Sequence, residues 1–339
     1  MAAMDSLSQA ALGAAVAVGV MHRRTAVWKA ALWGAVGGTL PDLDVLIDYG
    51  DPILDMVLHR ADSHALFWLS LLSLPFAVAV AALHDQRGLW RRWWLALWLV
   101  LITHPLLDAM TVYGTQLLLP FSNHPLGVGS LFIIDPLFTL PLLLGVGVAL
   151  LWRRGGLQAN AWGLALATAY IGWSVLAQQH VQGIALSVLK AQGVTTERVL
   201  VVPTAFNTVL WRVVAMDGGA FHEGFYSLFD DGPHIDFRRV DRGAALWPEV
   251  QHIDGIQRIS RFSKGFYALQ DNQGRVRITD LRMGQQPRFA FAFDAAERQS
   301  GGAAVALTPA RSAGQRPDLA VALPWLWRRL GGERVPSPQ

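Results

Sequence analysis

Six apolar runs free of charge occupy the first part of the chain: Ser6–Met21, Ala30–Leu40, Ala65–Leu83, Trp93–Val112, Leu131–Trp152 and Ala159–Ala177. Four of them approach the roughly 20 residues that a helix needs to cross about 30 Å of hydrocarbon. Ala30–Leu40 reaches that length only with Trp28 and a snorkelling Lys29 at one end and Pro41 to Ile47 at the other. Ser6–Met21 reads as a retained helix, because Arg23 and Arg24 follow it and no basic stretch precedes it. Past Gly193 the pattern changes to short β-branched and aromatic segments. Val199–Pro203, Thr208–Met216 and Gly224–Phe229 predict strands, with a turn at Gly218-Gly219. Phe266–Leu269 and Arg275–Leu281 flank a hairpin turn, and Phe289–Phe293 alternates. Gln178 to Gln192 reads as a helical extension, and Leu319–Leu330 as a strand or interfacial segment. The expected fold is therefore an α-helical polytopic membrane domain of about six transmembrane helices (residues 1–192), then a small, mostly antiparallel β extramembrane domain (residues 193–339).

Charge sharpens the division. Only 16% of the residues are charged, against about 25% in ordinary soluble domains. Residues 1–190 hold 20 of the charges, and the remaining 149 residues hold 33. The net charge of +3 gives no basic stripe for nucleic acid. With no cysteine there is neither a disulfide framework nor a thiolate metal site. His22-Arg23-Arg24, Arg87 with Arg91-Arg92, and Arg153-Arg154 follow runs one, three and five, and basic residues mark the cytoplasmic side. This expects an inner-membrane protein with both termini and the C-terminal domain outside, in the periplasm.

The remaining ionisable residues of the membrane part gather toward the outer edge. His104 and Asp108 stand at i and i+4 on one helix face. Asp42 and Asp44 stand at i and i+2, and converge only if the helix ends or unwinds at Pro41. His59-Arg60-Ala-Asp62-Ser63-His64 leads into the third run. So many ionisable groups near hydrocarbon are costly without compensation. A divalent metal held by Asp42, Asp44, His59, His64, His104 and Asp108 supplies it. Histidine with carboxylate and no sulfur favours one or two zinc ions, with manganese, nickel or iron as alternatives. Asp5, Asp135 and His124 are further candidate ligands; Asp5 also suits a helix cap, and Asp135 and His124 suit helix–helix hydrogen bonds. Asp48, Asp51 and Asp55 read as a solvated surface.

These residues also carry a family resemblance. Asp5-Ser-Leu-Ser-Gln-Ala-Ala-Leu-Gly13, Gly38-Thr-Leu-Pro-Asp42-Leu-Asp44, His59-Arg60 through Ser63-His64, and Thr103-His104-Pro-Leu-Leu-Asp108 resemble the YdjM-type family of inner-membrane proteins, for which metal-dependent hydrolysis is expected. Pro203 to Val214 and Gly224 to Asp230 are similar to the extramembrane segment of its longer members. The order Asp, His, His-x-x-x-Asp is also similar to part of the ligand pattern of zinc-dependent phospholipases C and single-strand nucleases. That likeness implies a bridging Asp42 or Asp44. The second His-x-x-x-Glu/Asp pair of those enzymes is missing here, which implies one or two metals rather than three.

The expected activity is metal-dependent hydrolysis of a phosphoester or lipid-like substrate at the outer face. A free carboxylate, Asp42 or Asp44, takes a proton from the attacking water, and Arg60 holds a phosphate in a bidentate contact. Membrane lipids are the expected surroundings, and protein partners are not indicated. The competing readings are a metal-ion or proton channel using the same groups, and a non-catalytic scaffold.

Overall fold

A computed structural model describes residues 6–298 and 304–338. The chain forms two compact units. The first comprises Met1–Ile47, Leu58–Val175 and Ala205–Asn207; the second comprises Asp48–Val57, Leu176–Thr204 and Thr208–Gln339.

The first unit is helical. Helices α1 (Ser6–Met21) and α2 (Val27–Thr39) are followed by a 3₁₀ segment, Pro41–Leu46. After the short α3 (Pro52–Leu58), which up to Val57 belongs to the second unit, and a 3₁₀ turn at Asp62–His64 come α4 (Leu66–Leu83), α5 (Trp90–Asp108), α6 (Pro136–Leu151) and α7 (Gly156–Ala191), whose residues from Leu176 on belong to the second unit. Each apolar run of the sequence thus forms a helix, although the ends differ. Trp93–Val112 stops at Asp108, and the last run extends to Ala191 as one 36-residue helix. Among the described residues, α4 alone is both long and apolar enough to cross a membrane, with mean hydropathy 2.2; α6 is apolar but has 16 residues.

Helix α1 lies against α2, α5 and α6. Small residues make this possible: Ala11, Ala14, Ala15 and Ala17 are buried, and Gly13 of α1 meets Gly34 and Gly38 of α2 at backbone distance. Such contacts let two helices approach closely enough for dispersion alone to hold them. Polar side chains add specific ties. The Ser8 and Thr139 hydroxyls stand 2.7 Å apart, and Asn160 Nδ2 donates to the Ala15 carbonyl at 2.9 Å.

The second unit carries two antiparallel four-stranded sheets. One has β1 (Arg198–Pro203), β2 (Leu210–Asp217), β3 (Ala220–Ser227) and β4 (Arg238–Asp241) in that spatial order. Two short helices follow, α8 (Trp247–Val250) and α9 (Asp254–Phe262). Then come β5 (Tyr267–Asn272), β6 (Arg275–Asp280), a two-stranded ribbon of β7 (Gly284–Gln285) and β8 (Arg288–Phe289), β9 (Ala292–Arg298) and β10 (Ala304–Ser312). The second sheet has the order β10-β9-β6-β5. Strand β2 is buried on both faces, and its one interior charge, Arg212, is neutralised by Glu223 at 2.7 Å. Trp211 and Val213 pack with Val181 and Ala185 of α7, whereas Val214 and Met216 pack with Phe266, Leu281 and Phe289. The β5–β6 hairpin closes through Gln273 (φ 54°) and Gly274 (φ 84°), the left-handed pair that a two-residue turn needs.

Several elements differ from the sequence expectation, among them the short α3 and α8 and the strands β4 and β10, which are not among the expected ones. Leu319–Leu330 is a helix, α10, and not a strand. Asp318 caps it by accepting from Ala320 N at 3.0 Å, and Trp325, Leu326 and Arg329 bury one side. Helix α9 was not foreseen, although Ile256, Ile259 and Phe262 recur at helical spacing and are all buried.

Candidate metal centre

The 3₁₀ segment after α2 settles the question of Asp42 and Asp44. Pro41 begins it, the helix tightens, and the two carboxylates go to different places. Asp42 meets His64, which ends the 3₁₀ turn before α4, and His104 and Asp108, which lie one turn apart at the end of α5. One ligand atom from each of the four lies within 4.8 Å of the others. The two Nε2 atoms are 3.1 Å apart. Asp42 Oδ1 is 3.5 Å from each of them, and Asp108 Oδ2 is 3.1 Å from His64 Nε2 and 3.3 Å from His104 Nε2. Four ligands at tetrahedral zinc, with bonds of about 2.0–2.1 Å, would themselves be about 3.3 Å apart.

Hydrogen bonding assigns the ring nitrogens. His104 Nδ1 lies 2.6 Å from the Gly38 carbonyl, which only accepts, so Nδ1 donates. Ser63 Oγ donates to Asp44 Oδ2 at 2.6 Å and therefore accepts from His64 Nδ1 at 2.8 Å. With Nδ1 committed on both rings, each Nε2 faces the other and two carboxylates, and in the neutral imidazoles that metal binding requires it carries a lone pair. Asp42 Oδ2 and Asp108 Oδ2 are buried without a hydrogen-bond partner. Lone pairs gathered in this way repel unless a cation sits between them, and the imidazole and carboxylate donors suit a divalent ion.

A second layer holds these ligands. Asp44 receives Ser63 Oγ, Arg60 N at 3.0 Å on the same oxygen, and His59 Nδ1 at 2.9 Å on the other. His64, Ser63 and Asp44 thus form a carboxylate–hydroxyl–imidazole chain of the sort that fixes a metal ligand's orientation. Arg60 has φ 63°, a left-handed conformation uncommon for a non-glycine residue. Its N–H faces Asp44, while its guanidinium reaches Asp108 Oδ1 at 3.2 Å and Thr111 Oγ1 at 3.2 Å and stacks 5.3 Å over the Tyr113 ring. Gln9 Nε2 donates to Asp108 Oδ1 at 2.9 Å and to the His104 carbonyl at 3.2 Å.

Of the residues chosen from the sequence, Asp42, His64, His104 and Asp108 come together. Asp44 and His59 stand one layer out, and Arg60, 3% exposed, holds a ligand carboxylate where the sequence suggested a substrate phosphate. Asp135 caps α6, accepting from Leu137 N at 3.0 Å and from the Tyr170 hydroxyl at 2.8 Å. His124 is exposed and outside the four. Asp5 lies outside the described residues. Asp55 accepts from Tyr49 N, and Asp51 accepts from Ile53 N on one oxygen and from the distant Ala310 N at 2.9 Å on the other. Gln9 and Ser63 were not singled out. A clue to Gln9 was its place as a lone amide within an apolar run; Ser63 offered only adjacency to His64.

Ser63→Ala removes the link between His64 and Asp44 without touching a ligand. Metal affinity should fall about 10–100-fold, as for other outer-layer partners, with the helical content unchanged. Titration of the purified protein against a chelating dye measures it, and unaltered affinity would remove Ser63 from the centre.

Comparison with known proteins places this geometry in a lineage. The uncharacterized protein YfhP of Bacillus subtilis (strain 168) is 22% identical over 267 residues, which cover 75% of this chain and 77% of that protein. No solved structure matches. The family model described as YdjM inner membrane protein matches residues 4–181, more than half of the chain and a span that contains all four clustered residues and their second layer. The chain belongs to the YdjM inner membrane protein family.

Proposed function

We propose that this protein is a membrane-embedded, metal-dependent hydrolase of a phosphoester or lipid-like substrate, with its centre toward the outer face of the inner membrane. The observation that carries the reading is the convergence of two imidazoles and two carboxylates on one point. A divalent cation held by Asp42, His64, His104 and Asp108, with a fifth coordination position, would supply an acidified water and a Lewis acid for a phosphoryl or carbonyl oxygen. The chain's own groups do the rest. His64 and His104 are locked by Ser63 and Gly38, and Asp108 is held by Arg60 and Gln9. Asp42 is the most open of the four, its side chain 13% exposed against 0 to 1% for the others, and its Oδ2 is uncommitted. In this reading that oxygen takes the proton from an attacking water.

Support for a lipid-like substrate comes from the segment that carries Asp42. Leu43, Val45, Leu46 and Ile47 are 47–78% exposed around the carboxylates, an arrangement suited to acyl chains and costly in water. The six-helix reading takes α1, α2, α4, α5, α6 and the first part of α7 as spanning. It draws on exposed leucines such as Leu71, Leu74, Leu140, Leu144 and Leu166, for which hydrocarbon is the fitting solvent. The arginines after α1, α4 and α6 support an orientation with the centre opposite the cytoplasm.

The test uses the full chain in detergent, assayed on phosphodiester, phosphomonoester and phospholipid substrates with and without chelator. Hydrolysis of one class, lost on chelation and restored by a single added metal, is expected. Uniform inactivity of metal-loaded protein would sink the hydrolase reading and favour a transport or scaffold role. A reporter fused after Gly193 that proved cytoplasmic would overturn the orientation.

A further inference from the structure

Helix α10 is attached to the second unit by one side only. Trp325 and Leu326 are buried, Trp325 meets Phe225 edge to face with 4.9 Å between ring centroids, and Arg329 is paired with Asp230. On a helical wheel these residues share one arc. The opposite arc holds Ala320, Val321, Pro324, Trp327 and Arg328, all exposed, with Val321 at 49% and Trp327 at 65%. Leu319 at the start of the helix is 60% exposed, and Phe229, whose carbonyl lies against Gly332 just beyond the helix end, is 63% exposed. An outward helix face on a water-soluble domain is ordinarily charged or polar. This one is apolar except for Arg328, and its tryptophan beside an arginine is the composition of a membrane interface.

Two more features point to the same occupant. Residues 304–338 contain five arginines, 311, 316, 328, 329 and 334, against the acids Asp318 and Glu333. Arg329 is taken up by Asp230 and Arg328 pairs with Glu333, which leaves Arg311, Arg316 and Arg334 exposed and the surface complementary to anionic headgroups. Pro324 also removes the N–H that would close on the Ala320 carbonyl, on the exposed arc. That carbonyl needs water or a headgroup, which suits the interface and not the hydrocarbon. Because the chain belongs to an inner-membrane family, the unit is already tethered to a bilayer, and a weak surface affinity becomes effective at high local concentration.

We propose that α10, with Phe229, is an interfacial helix that lays Val321 and Trp327 onto an anionic bilayer surface and keeps its arginines at headgroup level. The absence of cysteine makes the test direct. Val321→Cys and Ala320→Cys on the exposed arc, and Gln315→Cys before the helix, each carry a nitroxide on the full chain in vesicles of phosphatidylglycerol and phosphatidylcholine. Collision with oxygen and with a water-soluble nickel chelate reads the depth. The labels at 320 and 321 are expected about 5–10 Å below the headgroup level, and the label at 315 in water. Equal nickel accessibility at 315, 320 and 321 would overturn the proposal. So would spin–spin broadening at 321, which would assign the face to a second copy of the chain.

Discussion

His104→Ala is expected to leave the purified protein with essentially no bound divalent metal. The loss should exceed the roughly 100-fold upper range for outer-layer changes, because a ligand itself is removed. His104 Nε2 is within 3.5 Å of the ligand atoms of all three partners, so nothing else in the cluster can fill its corner. The same substitution leaves the Gly38 carbonyl without its 2.6 Å donor, at a cost of about 1–3 kcal/mol in a buried setting. His64→Ala should abolish binding equally. The double variant should bind no worse than either single one, since groups that act as a unit are not additive. His124→Ala should retain full metal content, because His124 is exposed and apart from the four. Elemental analysis and dye-competition titration measure all four proteins. A His104→Ala protein that keeps stoichiometric metal, with correct helical content, would disprove the centre as assigned.

Gly38→Ala is expected to damage folding and metal binding together. A Cβ there would stand 2.4 Å from the Gln9 carbonyl oxygen and 3.2 Å from Gly13 Cα, both backbone, so α1 would have to back away from α2. Overpacking of this kind costs about 1–3 kcal/mol. The displaced residue is Gln9, which holds Asp108, and the altered residue is Gly38, which holds His104. Metal affinity should therefore drop about 10–100-fold in protein that remains folded. Gly37→Ala is the matched control. Its new methyl would meet side chains, Val100 at 3.1 Å and Phe76 at 3.3 Å, which can give way. Thermal unfolding in detergent, scored with and without metal, separates the two effects. Equal behaviour of the two variants would mean that the α1–α2 crossing does not hold the centre in register.

Much of this was legible without coordinates. Periodicity and charge placement marked the six long helices and the β2–β3 and β5–β6 hairpins, because each depends on local spacing: charge-free runs form helices, and strands separated by Gly218-Gly219 or Gln273-Gly274 fold back on each other. The i, i+4 pair of His104 and Asp108 was readable for the same reason. Helix α10 was not, since its apolar outer face hides the amphipathic signal that an ordinary surface helix shows.

The sequence by itself determined which residue types this protein brings to its centre: imidazoles and carboxylates in a chain with no thiol and few other charges. Only the tertiary structure decided their ranks. Asp42 and Asp44 are chemically identical and two residues apart, and the direction each takes depends on how tightly the 3₁₀ turn after α2 winds. Arg60 faces inward because a left-handed backbone aims its guanidinium at Asp108. Gln9 enters the centre because glycines on α1 and α2 let two backbones nearly touch. Ligand identity is a property of side-chain chemistry, but which ligand stands first and which stands behind it is set by distances between segments far apart in the chain.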